Sequence, residues 1–175
     1  GSAATGKAYE VTEATGFVAP FKDLALRLKL GEVGLVKTEF GWHVVKRVPP
    51  PPPDRLESAA ILRRAPATAS AEVKHILLGW DAANAGDARG VKRTRAQLVK
   101  LVKRTLAQLA GGAAIEPLMA QLSEDPGSAA SGDSYVVTPD AGLVPPFKDL
   151  SLRLKLGEVG VVKTQFGIHI IKRVQ

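Results

Sequence analysis

The chain has 175 residues, a net charge of +7, 45% apolar and 23% charged residues, and no cysteine. That composition fits one or two small globular domains and excludes disulfides, thiolate nucleophiles and Cys-based zinc sites. No apolar run approaches the roughly 18 residues of a membrane helix. The basic excess reads as a solvated face; charge alone would favour acidic clients, nucleic acid or anionic lipid.

Gly1-Ser2 reads as a cloning scar. Tyr9 to Thr12 is β-prone. A Pro-Phe pair (Pro20-Phe21) follows, then an amphipathic helix and two β-rich runs. Pro49 to Pro53 is an uninterrupted proline run, expected as a polyproline II rod roughly 15 Å long. Asp54 to Arg64 predicts a short helix with Asp54 as N-cap and Leu56, Ala60 and Ile61 inward. Ala65 to Ser70 is a connector. Val73 to Leu78 predicts a buried strand, and Asp81 to Gly90 a polar loop. Val91 to Ala110 predicts a long basic helix with Leu98, Val102, Leu106 and Leu109 on one face. Its Lys and Arg side chains, Lys100, Lys103 and Arg104 among them, read as a solvated face. Ile115 to Leu122 predicts a short helix that tolerates Pro117 near its start. Ser123 to Ser131 is a turn-rich loop.

From Gly132 the chain repeats itself. Gly6 to Val48 matches Gly132 to Val174 at a constant offset of 126, without gaps, and about two-thirds of the positions are identical. The two segments therefore share a fold. In the second copy Tyr135 to Thr138 is the β-prone run, and Phe147, Leu150 and Leu154 form the helix stripe. Lys155 is placed in the last turn and Gly157 at C′. Val159 to Lys163 and Ile168 to Val174 are the strands, with Gln165-Phe166-Gly167 as the turn. The whole predicts an α+β fold with a mostly antiparallel sheet.

Several motifs stand in order: Lys74-His75-Ile76-Leu77-Leu78, Ser123-Glu124-Asp125-Pro126-Gly127-Ser128-Ala129, Leu143-Val144-Pro145-Pro146-Phe147, Leu156-Gly157-Glu158-Val159, and Lys163-Thr164-Gln165-Phe166-Gly167-Ile168-His169. Together they resemble a parvulin-type peptidyl-prolyl isomerase domain over residues 71–175. The resemblance implies an FKBP-like four-stranded sheet with surrounding helices, and cis/trans isomerisation of peptide bonds preceding proline. It places the two core histidines at His75 and His169, the loop acid at Asp125 and the threonine between them at Thr164. The proline pocket falls on Leu143 and Phe147, with Met119 or Leu122 behind and Phe166 beside it. Nothing in it implies a cofactor, and two histidines without further ligands are a poor zinc signature.

The chain departs from the family pattern in three places. Where bacterial members carry Gly-Gly-Asp-Leu-Gly-Trp-Phe, it has Gly132-Asp133-Ser134-Tyr135-Val136-Val137. The stretch from Gly157 to Val162 is one residue short. The loop from Gly79 to Asp87 has no basic residue, which argues against a preference for phosphorylated Ser/Thr before proline.

Each site residue also has a bland reading. A histidine on an apolar strand is usually a hydrogen-bonded core residue, here holding Asp125 and Thr164. Asp125 could be a turn residue, and Leu143 and Phe147 ordinary core. Residues 3–48 hold Phe17, Phe21, Thr38 and His43, the counterparts of Leu143, Phe147, Thr164 and His169, with nothing matching His75 or Asp125. The expected organisation is a half-repeat at 1–48, a Pro-rich linker at 49–70 and a complete domain at 71–175. The half-repeat would be the remainder of a complete upstream domain, pair with 71–128 in a permuted domain, or be donated to another chain in a swapped oligomer; beside an intact 71–175 domain it would pack as an accessory or self-associate with another chain. The function expected is an isomerase acting on proline-containing unfolded or extended clients, resembling the tandem parvulin foldases of the bacterial cell envelope. The alternative is a parvulin-fold peptide-binding chaperone or scaffold with weak or no catalysis. Nucleic-acid binding is disfavoured because no base-stacking aromatics accompany the charges.

Overall fold

The computed structural model describes residues 8–13, 15–49, 54–79 and 93–175. Most of the proline run and the loop at 81–90 lie outside the described residues. The chain divides into two compact units, Gly1–Pro52 and Pro53–Gln175.

In the second unit, α2 (Ala59–Leu62) leads into β3 (Ala71–Leu78), α3 (Arg95–Ala110), α4 (Ile115–Leu122), β4 (Tyr135–Val137), α5 (Pro145–Arg153), β5 (Val159–Lys163) and β6 (Ile168–Arg173). The four strands form one antiparallel sheet in the order β4-β3-β6-β5. Successive side chains of a strand alternate between faces, and each face builds its own core. Ile76, Leu78, Val161, Ile168 and Ile170 join Leu98, Val102 and Leu109 of α3 and Ile115, Leu118 and Met119 of α4. On the other face, Val73, Val162 and Ile171 join Phe147, Leu150, Leu152 and Leu154 of α5 and its C-terminal end. Helix α3 starts at a capping box, with Thr94 Oγ1 accepting from Gln97 N and Gln97 Oε1 from Thr94 N.

The first unit contains α1 (Ala19–Arg27) and the hairpin β1 (Val33–Thr38) and β2 (Gly41–Lys46). Its helix lies 126 positions before α5, residue for residue. Leu24 and Leu28 pack against Gly34 as Leu150 and Leu154 pack against Gly160. The opposite face of the hairpin is open. Trp42 is 67% and Val44 76% exposed, whereas their counterparts Ile168 and Ile170 are both fully buried under α3 and α4.

Three local expectations are corrected. Asp54 caps no helix; it closes a turn, its Oδ1 accepting from Leu56 N and its carbonyl from Glu57 N. The helix is only Ala59–Leu62, because Ser58 is already bonded to β5: its N–H donates to Val161 O and its Oγ accepts from Val161 N. Within this stretch Ile61 is buried, whereas Ala60, expected to face inward, is exposed. Gly157 is not the C′ residue of α5, which ends at Arg153; with φ +78° it sits in the next turn and donates to Arg173 O. Tyr9 to Thr12 is not a strand. Its counterpart β4 is a strand because it pairs with Ala71–Val73, and no such partner exists among the described residues of the first unit.

Candidate functional site

The β3–β6 register pairs Leu77 with His169 and His75 with Ile171. The two histidines are thus diagonal neighbours on one face, within reach of long side chains. Their rings stack at 5.3 Å with 17° between planes, and their Nδ1 atoms are 3.1 Å apart. Both are buried. Thr164 Oγ1, from the β5–β6 turn, lies 2.8 Å from His169 Nε2 and accepts from Phe166 N at 3.1 Å. At the other end, His75 Nε2 faces Asp125 Oδ2 at 3.4 Å and has no other partner among the described residues.

With both rings neutral, one tautomer set satisfies this chain. A carboxylate only accepts, so the His75 proton belongs on Nε2 and its Nδ1 accepts. His169 then donates from Nδ1 and accepts from the Thr164 hydroxyl at Nε2, which leaves the Thr164 oxygen for Phe166 N. Three of the four imidazole nitrogens thus have hydrogen-bond partners, and the fourth, His75 Nε2, faces the Asp125 carboxylate.

The loop carrying Asp125 is stitched to the end of β3. Leu77 N donates to Ser123 Oγ, Glu124 N to Leu77 O, and Asp125 N to Ser123 Oγ. The buried Glu124 carboxylate accepts from Gly79 N at 2.9 Å and pairs with Arg93, which also donates to Gly79 O. Asp125 Oδ2 accepts from Ser128 N and Ser128 Oγ, both at 2.8 Å, and from Tyr135 OH at 2.9 Å.

Burial opposes the Asp125 charge, but His75, Ser128 and Tyr135 outweigh it and hold the carboxyl well below the usual range. Burial, aided by the neighbouring Asp125, pushes the Tyr135 hydroxyl up to about 12. Burial, reinforced by His75, pushes His169 down to about 3 despite the opposing pull of Asp125.

Phe147 packs edge-on against both histidines at 5.1 and 5.3 Å, and Tyr135 packs on His75 at 5.2 Å. Leu143 is half-buried against the same cluster, and Phe166 is 39% exposed in the β5–β6 turn. Two expected pocket residues are elsewhere. Met119 is fully buried in the core under α3 and α4, and Leu122 packs against that same cluster. The sheet separates them from Phe147, because α4 covers the opposite face. Ser123, Glu124, Ser128, Arg93 and Tyr135 were not anticipated as site residues. Three of them lie within the quoted loop motif, and Tyr135 is one of two tyrosines, the other being its repeat counterpart Tyr9.

The first unit retains part of this arrangement. Thr38 Oγ1 lies 2.7 Å from His43 Nε2, and Phe21 packs edge-on against His43 at 5.5 Å. Its described residues hold no second histidine and no carboxylate on His43.

The order of the sheet, the paired histidines tied to a threonine and a loop aspartate, and the helix delivering Phe147 together define a parvulin-type domain. The chain belongs to the family described as PPIC-type PPIase domain, which matches residues 1–49 and 59–175. It is 38% identical over 74 residues to the foldase protein PrsA of Geobacillus kaustophilus, covering 42% of this chain and 26% of that protein. It is 26% identical over 154 residues to the chaperone SurA of Chromohalobacter salexigens, covering 87% of this chain and 32% of that protein. The chain thus spans about a quarter to a third of the length of these relatives. Among solved structures, the peptidyl-prolyl isomerase ESS1 from Candida albicans shares the fold, with a TM-score of 0.54 at 23% identity over 61% of this chain and 63% of that one.

Proposed function

We propose that the second unit is a peptidyl-prolyl cis/trans isomerase that assists the folding of polypeptide clients. The observation that carries this reading is the convergence of the hydrogen-bonded chain from Thr164 through His169 and His75 on the partly exposed Asp125 carboxylate, beside Leu143 and Phe147. Rotating an X-Pro amide has a barrier of about 20 kcal/mol and breaks no heavy-atom bond. An enzyme need only favour the twisted amide over the planar one. Leu143 and Phe147 supply an apolar seat for the proline ring. A fixed carboxylate beside the peptide carbonyl repels the partial negative charge that amide resonance places on that oxygen, and so disfavours the planar form.

Proline-containing, unphosphorylated segments are the substrate this reading favours, since the sequence from Gly79 to Asp87 carries no basic residue to pair with a phosphate. The foldase and chaperone relatives support unfolded clients, and the resemblance to envelope foldases favours that compartment. No helix among the described residues is long and apolar enough to cross a membrane.

The test is the cis/trans exchange rate of an Ala-X-Pro-Phe peptide, measured by NMR with the full chain and with Asp125→Ala. Acceleration that falls at least about tenfold in the variant, equivalent to ~1.4 kcal/mol, is expected. Full activity in Asp125→Ala overturns the role given to the carboxylate. Peptide shifts without any acceleration by the parent make the domain a peptide-holding module, the reading favoured by the departures at Gly132 to Val137.

A further inference from the structure

We propose that Tyr135 is a positioning residue for Asp125: its hydroxyl, together with Ser128, occupies Oδ2 and so leaves Oδ1 as the oxygen that faces the peptide. This inference rests on the isomerase reading. Every polar contact of the Asp125 side chain falls on one atom. Ser128 N, Ser128 Oγ, Tyr135 OH and His75 Nε2 all meet Oδ2, and Oδ1 has no partner among the described residues. A carboxylate free to turn about its last bond would present either oxygen; three donors on one oxygen remove that freedom.

Two of those donors are local, three residues along the same loop. Of the three hydrogen-bonded donors, Tyr135 is the one that comes from the sheet, on the edge strand β4. It is therefore the group that ties the loop's orientation to the frame carrying His75. Its ring is itself clamped between His75 at 5.2 Å and Phe147 at 6.3 Å, both edge-to-face. The neighbouring loop is shaped for it. A Cβ added at Gly127 would lie 2.4 Å from the Tyr135 hydroxyl oxygen and 3.3 Å from Asp125 Oδ2. A side chain at Gly127 and the tyrosine hydroxyl cannot both occupy that space. Tyr135 thus brings a hydroxyl to the carboxylate from within the stretch Gly132 to Val137 that departs from the family pattern.

The experiment uses the full chain and three variants, Tyr135→Phe, Gly127→Ala and Asp125→Ala. Tyr135→Phe keeps the ring contacts and removes only the hydroxyl; Gly127→Ala keeps the hydroxyl and displaces it. Both are expected to lower kcat for an Ala-X-Pro-Phe peptide by about tenfold, or ~1.4 kcal/mol, with KM within about twofold, a split expected of an interaction used in the transition state. In a ¹³C-carboxyl titration, the Asp125 carboxyl of the parent is expected to stay ionised to the lowest pH at which the fold persists. In Tyr135→Phe its titration is expected to move up toward the ordinary carboxylate range. A kcat within twofold of the parent in Tyr135→Phe, or an unmoved carboxyl titration, overturns the proposal. If Asp125→Ala keeps full activity, the isomerase role of the carboxylate fails instead, and the carboxyl titration alone decides whether Tyr135 holds it.

Discussion

Gly167→Ala tests how the β5–β6 turn is built into the site. Gly167 has φ +153°, and a Cβ there would meet Leu78 O at 2.5 Å, with Leu77 Cδ1 and Leu78 C at 3.0 Å. The carbonyl belongs to β3 and cannot swing away without breaking its pairing with Ile168. Overpacking of this kind costs about 1–3 kcal/mol, and a non-glycine residue in that backbone region about 1–3 kcal/mol more. The repeat supplies its own control. Gly41 is the counterpart, with φ +121°, and a Cβ there meets nothing within 4 Å, so Gly41→Ala carries the backbone cost alone. Urea unfolding followed by amide-resolved NMR reports each unit separately. We expect the second unit to lose about 2–6 kcal/mol in Gly167→Ala. The first unit should lose about 1–3 kcal/mol less than that in Gly41→Ala. Equal losses in the twins would refute the clash with β3, and a loss under about 0.5 kcal/mol in Gly167→Ala would refute the whole argument.

Acid stability and the buried pair beside the site give further tests. His169 has its folded value lowered to about 3 from an unfolded value of about 6.5. The unfolded chain therefore binds the proton first, and stability falls as pH drops from 6.5 toward 3, by at most about 1.4 kcal/mol per pH unit from this group. Asp125 is also lowered, so its contribution is present above about pH 4 and lost only below it. The window from 6.5 to 4.5 thus reads His169, and a flat urea midpoint across it would contradict the depressed value. Arg93→Met leaves the Glu124 carboxylate, whose side chain is 3% exposed, without its cation. Breaking a buried pair costs about 3–5 kcal/mol, and Arg93→Met/Glu124→Gln should recover part of it; a single variant that loses under ~1 kcal/mol sinks the assignment.

Much of this was legible in the residues. At the offset of 126 the helices Ala19–Arg27 and Pro145–Arg153 stand at matching positions, and the apolar stripe Phe147, Leu150 and Leu154 is buried as its periodicity requires. Ile115–Leu122 is the helix its pattern describes, since a local period and a tolerated proline need nothing from elsewhere. The ordered motifs brought His75, Asp125, Thr164 and His169 to one site because family spacing encodes strand register. Sequence spacing could not say which face α4 covers, so Met119 and Leu122 were placed beside Phe147 when the sheet lies between them. Nor could it show that Ser58 bonds to β5 and ends the helix early, or that Tyr9 to Thr12 lacks the strand that makes its counterpart β4. The role of Tyr135 was invisible for the same reason: its partners are 10 residues away at Asp125 and 60 away at His75, and only folding brings a hydroxyl, a carboxylate and an imidazole within reach of one another.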